Sequence, residues 1–261
     1  MSRRVGALLL RYLLLIRRDY SRVVDLVYWP LLDITVWGLF TFFLYRAQFQ
    51  VPNALAILLG GAILWNVFLR AAQDVSVCFL EDVWARSVVT VFASPLTFGE
   101  FGVSVMLVGL VKVFMSLAVM GLAAWLLYAF DLLTIGWALV PFAANLMLFG
   151  WTLGLLAFAI ILRFGGRWQI LAWSLPFVAM PVSCVFYPLA ILPPGLRRIA
   201  SALPATHVFE GMRSVLLERR FVWTQLAWAT ALNLVYLAAA GAIVAWVLRI
   251  ALERGLLPKI R

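Results

Sequence analysis

Residues 101–128 read FGVSVMLVGLVKVFMSLAVMGLAAWLLY, a run whose single charge is Lys112. A helix needs about 20 apolar residues to cross a bilayer, and this run exceeds that length. Comparable runs lie at Val23–Tyr45, Ala54–Val77, Trp137–Leu162, Trp168–Tyr187 and Thr224–Leu248. The whole chain of 261 residues is 66% hydrophobic and 12% charged, where soluble domains have roughly 45–50% and about 25%. A soluble fold is excluded, and so many runs exclude a soluble domain on one anchor. The expected fold is all-α: a polytopic integral membrane protein with six transmembrane helices, forming a single transmembrane domain over 1–261.

Charge placement then orients the chain. The net charge of +10 would point to nucleic acid in a soluble protein, but here the basic residues flank the apolar runs. With six spans threaded in order, thirteen of the 21 Lys and Arg fall on one side, among them Arg3, Arg4, Arg11, Arg17, Arg18 and Arg22. Six fall on the other, namely Arg46, Arg197, Arg198, Arg213, Arg219 and Arg220, which leaves Arg70 and Lys112 at membrane depth. Basic residues near span ends are retained in the cytoplasm, so both termini are expected there and no nucleic acid is implied. Several tryptophans, including Trp29, Trp137, Trp168 and Trp223, fall near span ends, where an indole suits the headgroup layer.

Before the first span, Val5, Leu8, Leu9, Tyr12, Leu13 and Ile16 share one side of a helix, with Arg3, Arg4, Arg11, Arg18 and Arg22 at its boundary and opposite side. That is the pattern of an interfacial amphipathic helix over 1–22, with a plain basic tail as the alternative. Arg11, Arg17 and Arg18 interrupt what would otherwise resemble a signal peptide.

The two long connections carry more information. After spans one and two (23–78), residues 79–100 read FLEDVWARSVVTVFASPLTFGE. Glu81, Asp82 and Arg86 offer ionic contacts beside the apolar Trp84 and Phe92, as in a short helix suited to docking on a soluble partner or simply packed on its own bundle. After spans three to five (101–187), the connection 188–222 combines Pro188, Pro193, Pro194 and Pro204 with an apolar composition. The prolines exclude one continuous helix, and the apolar character argues against a free loop. Short helical pieces folded back into the membrane satisfy both, capping or gating a pathway; irregular backbone is permitted there where protein or a water-filled cavity covers it. Pro176 and Pro181 should bend span five just before this region. Span six and its tail occupy 223–261.

Enzymatic chemistry is thinly represented. There is no GxxxxGK[ST] phosphate loop, and Cys78, Cys184 and the single histidine, His207, suggest neither a disulfide framework nor a metal site. Glu210 and Arg213, three residues apart, can pair on a helix, as can Arg70 and Asp74 four apart. Asp33 and Lys112 lie deep in spans one and three; ionisable residues there are functional candidates that can pair with each other or line a polar path. Asn66, Gln73, Asn145 and Thr152 can link helices by hydrogen bonds. Gly150 and Gly154 form a GxxxG, a weak signal by itself.

The order of features, a basic amphipathic N-terminal helix, six spans, an acidic and aromatic segment ending in SPLTFGE, and YPLAILPPGLRRIASALPATHVFEGMR after span five, resembles the permease subunits of type-2 ATP-binding cassette exporters. The likeness covers nearly the whole chain. It is most specific at Tyr187, Pro188, Pro193, Leu203, Pro204, His207, Glu210 and Arg213, which it assigns to an extracellular gate. It places the contact with the ATPase on Glu81, Asp82, Trp84, Arg86 and Phe92. It further implies a bacterial inner-membrane protein that dimerises with itself or a homologous permease. Two copies of a separate cytoplasmic cassette ATPase would bind ATP and magnesium, so the chain would hold no cofactor and be no enzyme. The exported cargo would be an amphipathic, lipid or lipid-linked molecule. An ion-coupled secondary transporter is the alternative, with Asp33 as its ion site, although no inverted repeat is evident.

Overall fold

The computed structural model of the chain describes residues 2–47, 53–84 and 97–253. The described residues are mostly helical, without strands: α1 Ser2–Arg18, α2 Tyr20–Arg46, α3 Ala54–Trp84, α4 Phe98–Tyr128, α5 Leu139–Phe164, α6 Ile170–Ala179, α7 Pro194–Ser201, α8 Pro204–Glu218 and α9 Trp223–Glu253. Five of them, α2, α3, α4, α5 and α9, are long and apolar enough to cross a membrane.

The central element is α3. In its most apolar window 78% of residues are buried, against 22% in α2 and 17% in α9, so α3 is a core helix and the other two are peripheral. It packs against α5 along the two glycines of the GxxxG. A Cβ on Gly150 would stand 2.7 Å from both the Ala71 Cβ and the Phe68 carbonyl, and one on Gly154 would stand 2.6 Å from the Ala72 carbonyl. The missing side chains are what allow the two backbones to meet. Phe68 then stacks on Phe149 at 5.2 Å between ring centroids, and Phe142, Phe209 and Met212, all fully buried, extend the core towards α8.

Direction follows from the clusters at the helix ends. Phe79 and Leu80 near the end of α3 pack with Ile161 and Leu162 near the end of α5 and with Val247 and Ala251 near the end of α9. These three helices therefore run the same way. Since α5 and α9 are parallel, residues 165–222 must carry the chain back along the bundle. They do so without one long helix. The expected span at 168–187 is instead the ten residues of α6 followed by a 3₁₀ turn at Met180–Val182. At 1.5 Å per residue α6 is only about 15 Å long. The reason is local: Pro181 supplies no backbone N–H and Cys184 takes a left-handed conformation at φ 54°, so the helix cannot propagate. Beyond it come a 3₁₀ turn at Leu189–Ile191, then α7 and α8, each with proline at its first turn. We call this side the α8 end and the opposite one the α1 end.

At the α1 end, Leu8, Tyr12 and Ile16 of α1 are buried against Phe101, Val105 and Val108 of α4. The apolar side expected to face lipid is thus turned into the protein, while Leu10, Leu14 and Leu15 are exposed. Thr97 and Glu100 form a capping box at the start of α4, with Thr97 Oγ1 accepting from the Glu100 N–H and Glu100 Oε2 from the Thr97 N–H. Around the outside, Phe40, Phe43, Trp125, Leu126, Val235 and Trp246 are exposed, the surface of a protein whose solvent is lipid.

Two expected boundaries shift. Span two continues as α3 through Trp84, so Glu81, Asp82 and Trp84 cap a long helix instead of opening a separate one. The connection between spans three and four is partly ordered as a 3₁₀ segment at Leu132–Ala138, broken by Gly136 at φ 64°.

Candidate functional site

Between α2 and α6, with α3 behind them, lies a cavity of about 720 Å³, within the usual range for ligand sites. Its apolar walls are rich in indole: Trp29 and Trp37 from α2, Trp65 from α3, Trp173 and Phe177 from α6. The charges are four carboxylates, Asp25, Asp33, Asp74 and Glu81, and three cations, Arg22, Arg70 and Lys112. So many ionisable groups beside apolar helices persist only if most are paired.

Pairing is between helices. Lys112 Nζ on α4 donates to Asp74 Oδ1 on α3 at 2.7 Å. Arg70 on α3 spreads its guanidinium over Asp25 of α2, Nη1 to the carboxylate at 2.8 Å and Nη2 to the backbone carbonyl at 2.7 Å. Arg22 bridges Glu81 at 2.7 Å and Asp19 at 3.1 Å. The pair expected within α3, Arg70 with Asp74, is not made, and neither is a pair of Asp33 with Lys112. Four-residue spacing brings two side chains near each other, but partners on neighbouring helices take both. Asp33 faces the side-chain amide of Asn66, whose Oδ1 accepts from Ser116 at 2.6 Å.

The α8 end is built differently. There the broken backbone of 180–192 exposes carbonyls that no helix satisfies, and α8 supplies the donors. Arg213, only 5% exposed, donates from Nη1 to the Cys184 carbonyl at 2.8 Å and from Nη2 to Glu210 Oε1 at 2.8 Å. Glu210 Oε1 also accepts from the Leu189 N–H at 2.7 Å. Thr206 donates to the Val182 carbonyl at 3.1 Å, and the Tyr187 hydroxyl donates to the Pro181 carbonyl. His207 lies between the Ser201 carbonyl at 2.9 Å and Gln225 Oε1 at 2.6 Å, bridging the end of α7 to the start of α9. Arg213 and Glu210 thus pair as their spacing predicts, but the guanidinium is buried and not among exposed loop charges.

Of the expected gate residues, Glu210 and Arg213 share one network with the Leu189 N–H and the Cys184 carbonyl, while Tyr187 and His207 make separate bonds; Pro193 and Leu203 are the caps before α7 and α8, Pro204 opens α8, and Pro188 precedes the Leu189 turn. The residues assigned to a partner are only partly visible. Glu81 is held by Arg22, and the exposed Trp84 donates its indole N–H to Gln169 Oε1 at 3.3 Å; the Asp82 side chain, Arg86 and Phe92 lie outside the described residues. Asn66 and Asn145 do link helices, Asn145 accepting from Asn233 at 3.0 Å and Thr230 at 3.2 Å, whereas Thr152 bonds only its own helix at the Leu148 carbonyl.

Sequence reasoning passed over the aromatic lining. The signal was present in VYWPLLDITVWG, where Trp29, Asp33 and Trp37 recur every four residues and so share one face of α2. Comparison of the chain with models of known families finds no match, and comparison with functionally characterised proteins finds none either.

Proposed function

We propose that the chain is the membrane-spanning permease subunit of an ATP-driven exporter, forming the path for an amphipathic or lipid-linked substrate and coupled to separate ATPase subunits. The observation that carries this reading is the 720 Å³ cavity at helix depth, aromatic on its walls and charged along α3, which suits a molecule that is apolar along one part and polar along another. The broken passage of 168–191 serves as the sixth crossing. A second copy facing the groove between α2 and α6 would enclose it, and α8 with its bonded loop would close its outer end. The engine is assigned to a partner because the sequence has no phosphate loop. A secondary transporter is the weaker reading, because the Lys112, Arg70 and Arg22 pairs neutralise three of the four cavity carboxylates.

The test is reconstitution in liposomes with a candidate cassette ATPase. ATP-dependent movement of an amphiphile without an ion gradient, lost when the ATPase cannot hydrolyse ATP, is the expected result. Movement driven by a proton or sodium gradient in the chain alone would transfer the reading to the secondary transporter.

A further inference from the structure

Charge balance within the cavity singles out one residue. Four carboxylates face three cations, and each cation already has its acid: Arg22 with Glu81, Arg70 with Asp25, Lys112 with Asp74. Among the described residues no Lys or Arg forms an ion pair with Asp33; it interacts with the neutral amide of Asn66 and, through space, with the guanidinium of Arg70, which is itself bonded to Asp25. The hydrogen bond from Ser116 to Asn66 Oδ1 at 2.6 Å orients that amide with its NH₂ group left for the carboxylate. By formal charge the cavity lining therefore has one carboxylate more than it has cations, and Asp33 is the carboxylate left outside the ion pairs.

The surroundings of that charge are aromatic. Trp29 and Trp37 stand one turn to either side of Asp33 on α2, and Trp65 faces them from α3; all line the cavity. Trp37 is fixed by stacking on Phe186 at 3.8 Å between centroids, and Trp65, 5% exposed, is held in the core. A carboxylate with indoles beside it attracts an organic cation in two ways, by opposite charge and by the ring quadrupoles, while an anionic ligand would meet an acid outside the ion pairs.

We infer that Asp33, with Trp29, Trp37 and Trp65, forms a binding subsite for the cationic head of an amphipathic ligand, a bulky ammonium or similar delocalised organic cation. The ligand's apolar part then lies along Trp173 and Phe177 on α6. This deepens the transport reading by giving its cargo a charge, and rests on that reading for its biological use.

The test needs neither ATPase nor transport. The full chain in phosphatidylcholine nanodiscs is titrated with tetraphenylphosphonium and with tetraphenylborate, ions of the same shape and opposite charge, and the saturable component over empty discs is measured. Wild type should bind the phosphonium about tenfold or more tighter than the borate. Asp33→Asn should lower phosphonium affinity about tenfold and raise borate affinity, Asp33→Glu should retain most of the phosphonium affinity, and Trp37→Leu should lower it several-fold, the scale of a lost cation–π contact. Equal affinity for the two ions in wild type, or unaltered phosphonium binding in Asp33→Asn, overturns the inference. If Asp33→Asn does not insert, the wild-type ratio and Trp37→Leu decide. A chain that binds the cation selectively but shows no ATP-linked transport keeps the subsite and loses the exporter, and the reverse result loses only the subsite.

Discussion

At the α8 end, Arg213, Glu210 and Thr206 direct their polar atoms at backbone groups of a broken helix; around the cavity, Arg22, Arg70 and Lys112 are directed at carboxylates beside open space. The first arrangement repairs the chain itself. A carbonyl stranded in an apolar setting loses several kcal/mol unless a donor reaches it, so the side chains of α8 are structural members. The second arrangement holds neighbouring helices together and places charged side chains along the lining of a cavity. Substitutions in the two regions should accordingly separate stability from binding.

The largest effect is expected from Arg213→Met, which strands the Cys184 carbonyl and leaves Glu210 without its cation. A loss of about 3–5 kcal/mol is expected, as for breaking a buried pair by removing one partner, read as the denaturation midpoint in detergent. A midpoint equal to wild type would show that the loop at 180–192 is held by packing alone. Lys112→Met should lower the midpoint by about 2–3 kcal/mol, less than Arg213→Met because it removes one ion pair, whereas Arg213 holds both Glu210 and the Cys184 carbonyl. Adding Asp74→Leu should return part of that loss, and strict additivity of the two changes would deny the pair any coupling. Thr206→Val removes one hydrogen bond to Val182 and should lower the midpoint by about 1 kcal/mol. Smallest is Asp33→Asn, expected within about 0.5 kcal/mol of wild type although it abolishes cation selectivity. A strongly destabilised Asp33→Asn chain would place that residue with the structural group and blur the contrast between the two regions.

Much of this organisation is legible in the residues, for definable reasons. Apolar runs longer than a bilayer's thickness have few soluble alternatives, so the five long helices follow from composition and length. Pro176 and Pro181 mark the end of regular helix because a missing N–H acts locally. The end of α3 is less legible, since polarity begins at Glu81 but no breaker stands between Val77 and Trp84, and helices end at breakers or caps more reliably than at charges. The capping box at Thr97 and Glu100 is spelled out in TFGE, yet the same letters also serve the family likeness and are easily read only that way. Ion-pair partners were the least accessible. Spacing favours Arg70 with Asp74, whereas the choice of Asp25 and Lys112 depends on which helices become neighbours. The Gly150 and Gly154 motif is equally mute alone, and acquires meaning only when Ala71 and Ala72 are found against it.

Pro30 lies inside α2, one residue beyond Trp29 and three before Asp33. Its ring cannot bond the Leu26 carbonyl, so one rung of the helix ladder is missing there. Below the gap, Arg22 ties α2 to Glu81 of α3, and Arg70 of α3 donates twice to Asp25, to its carboxylate and to its backbone carbonyl; above it, Asp33 and Trp37 line the cavity. The missing rung thus falls between two kinds of anchor, ion pairs below it and, above it, the Trp37–Phe186 stack and the Tyr128 bond to the Thr35 carbonyl. A change at Pro30 would therefore act on the cavity wall between Trp29 and Asp33 without opening any ion pair.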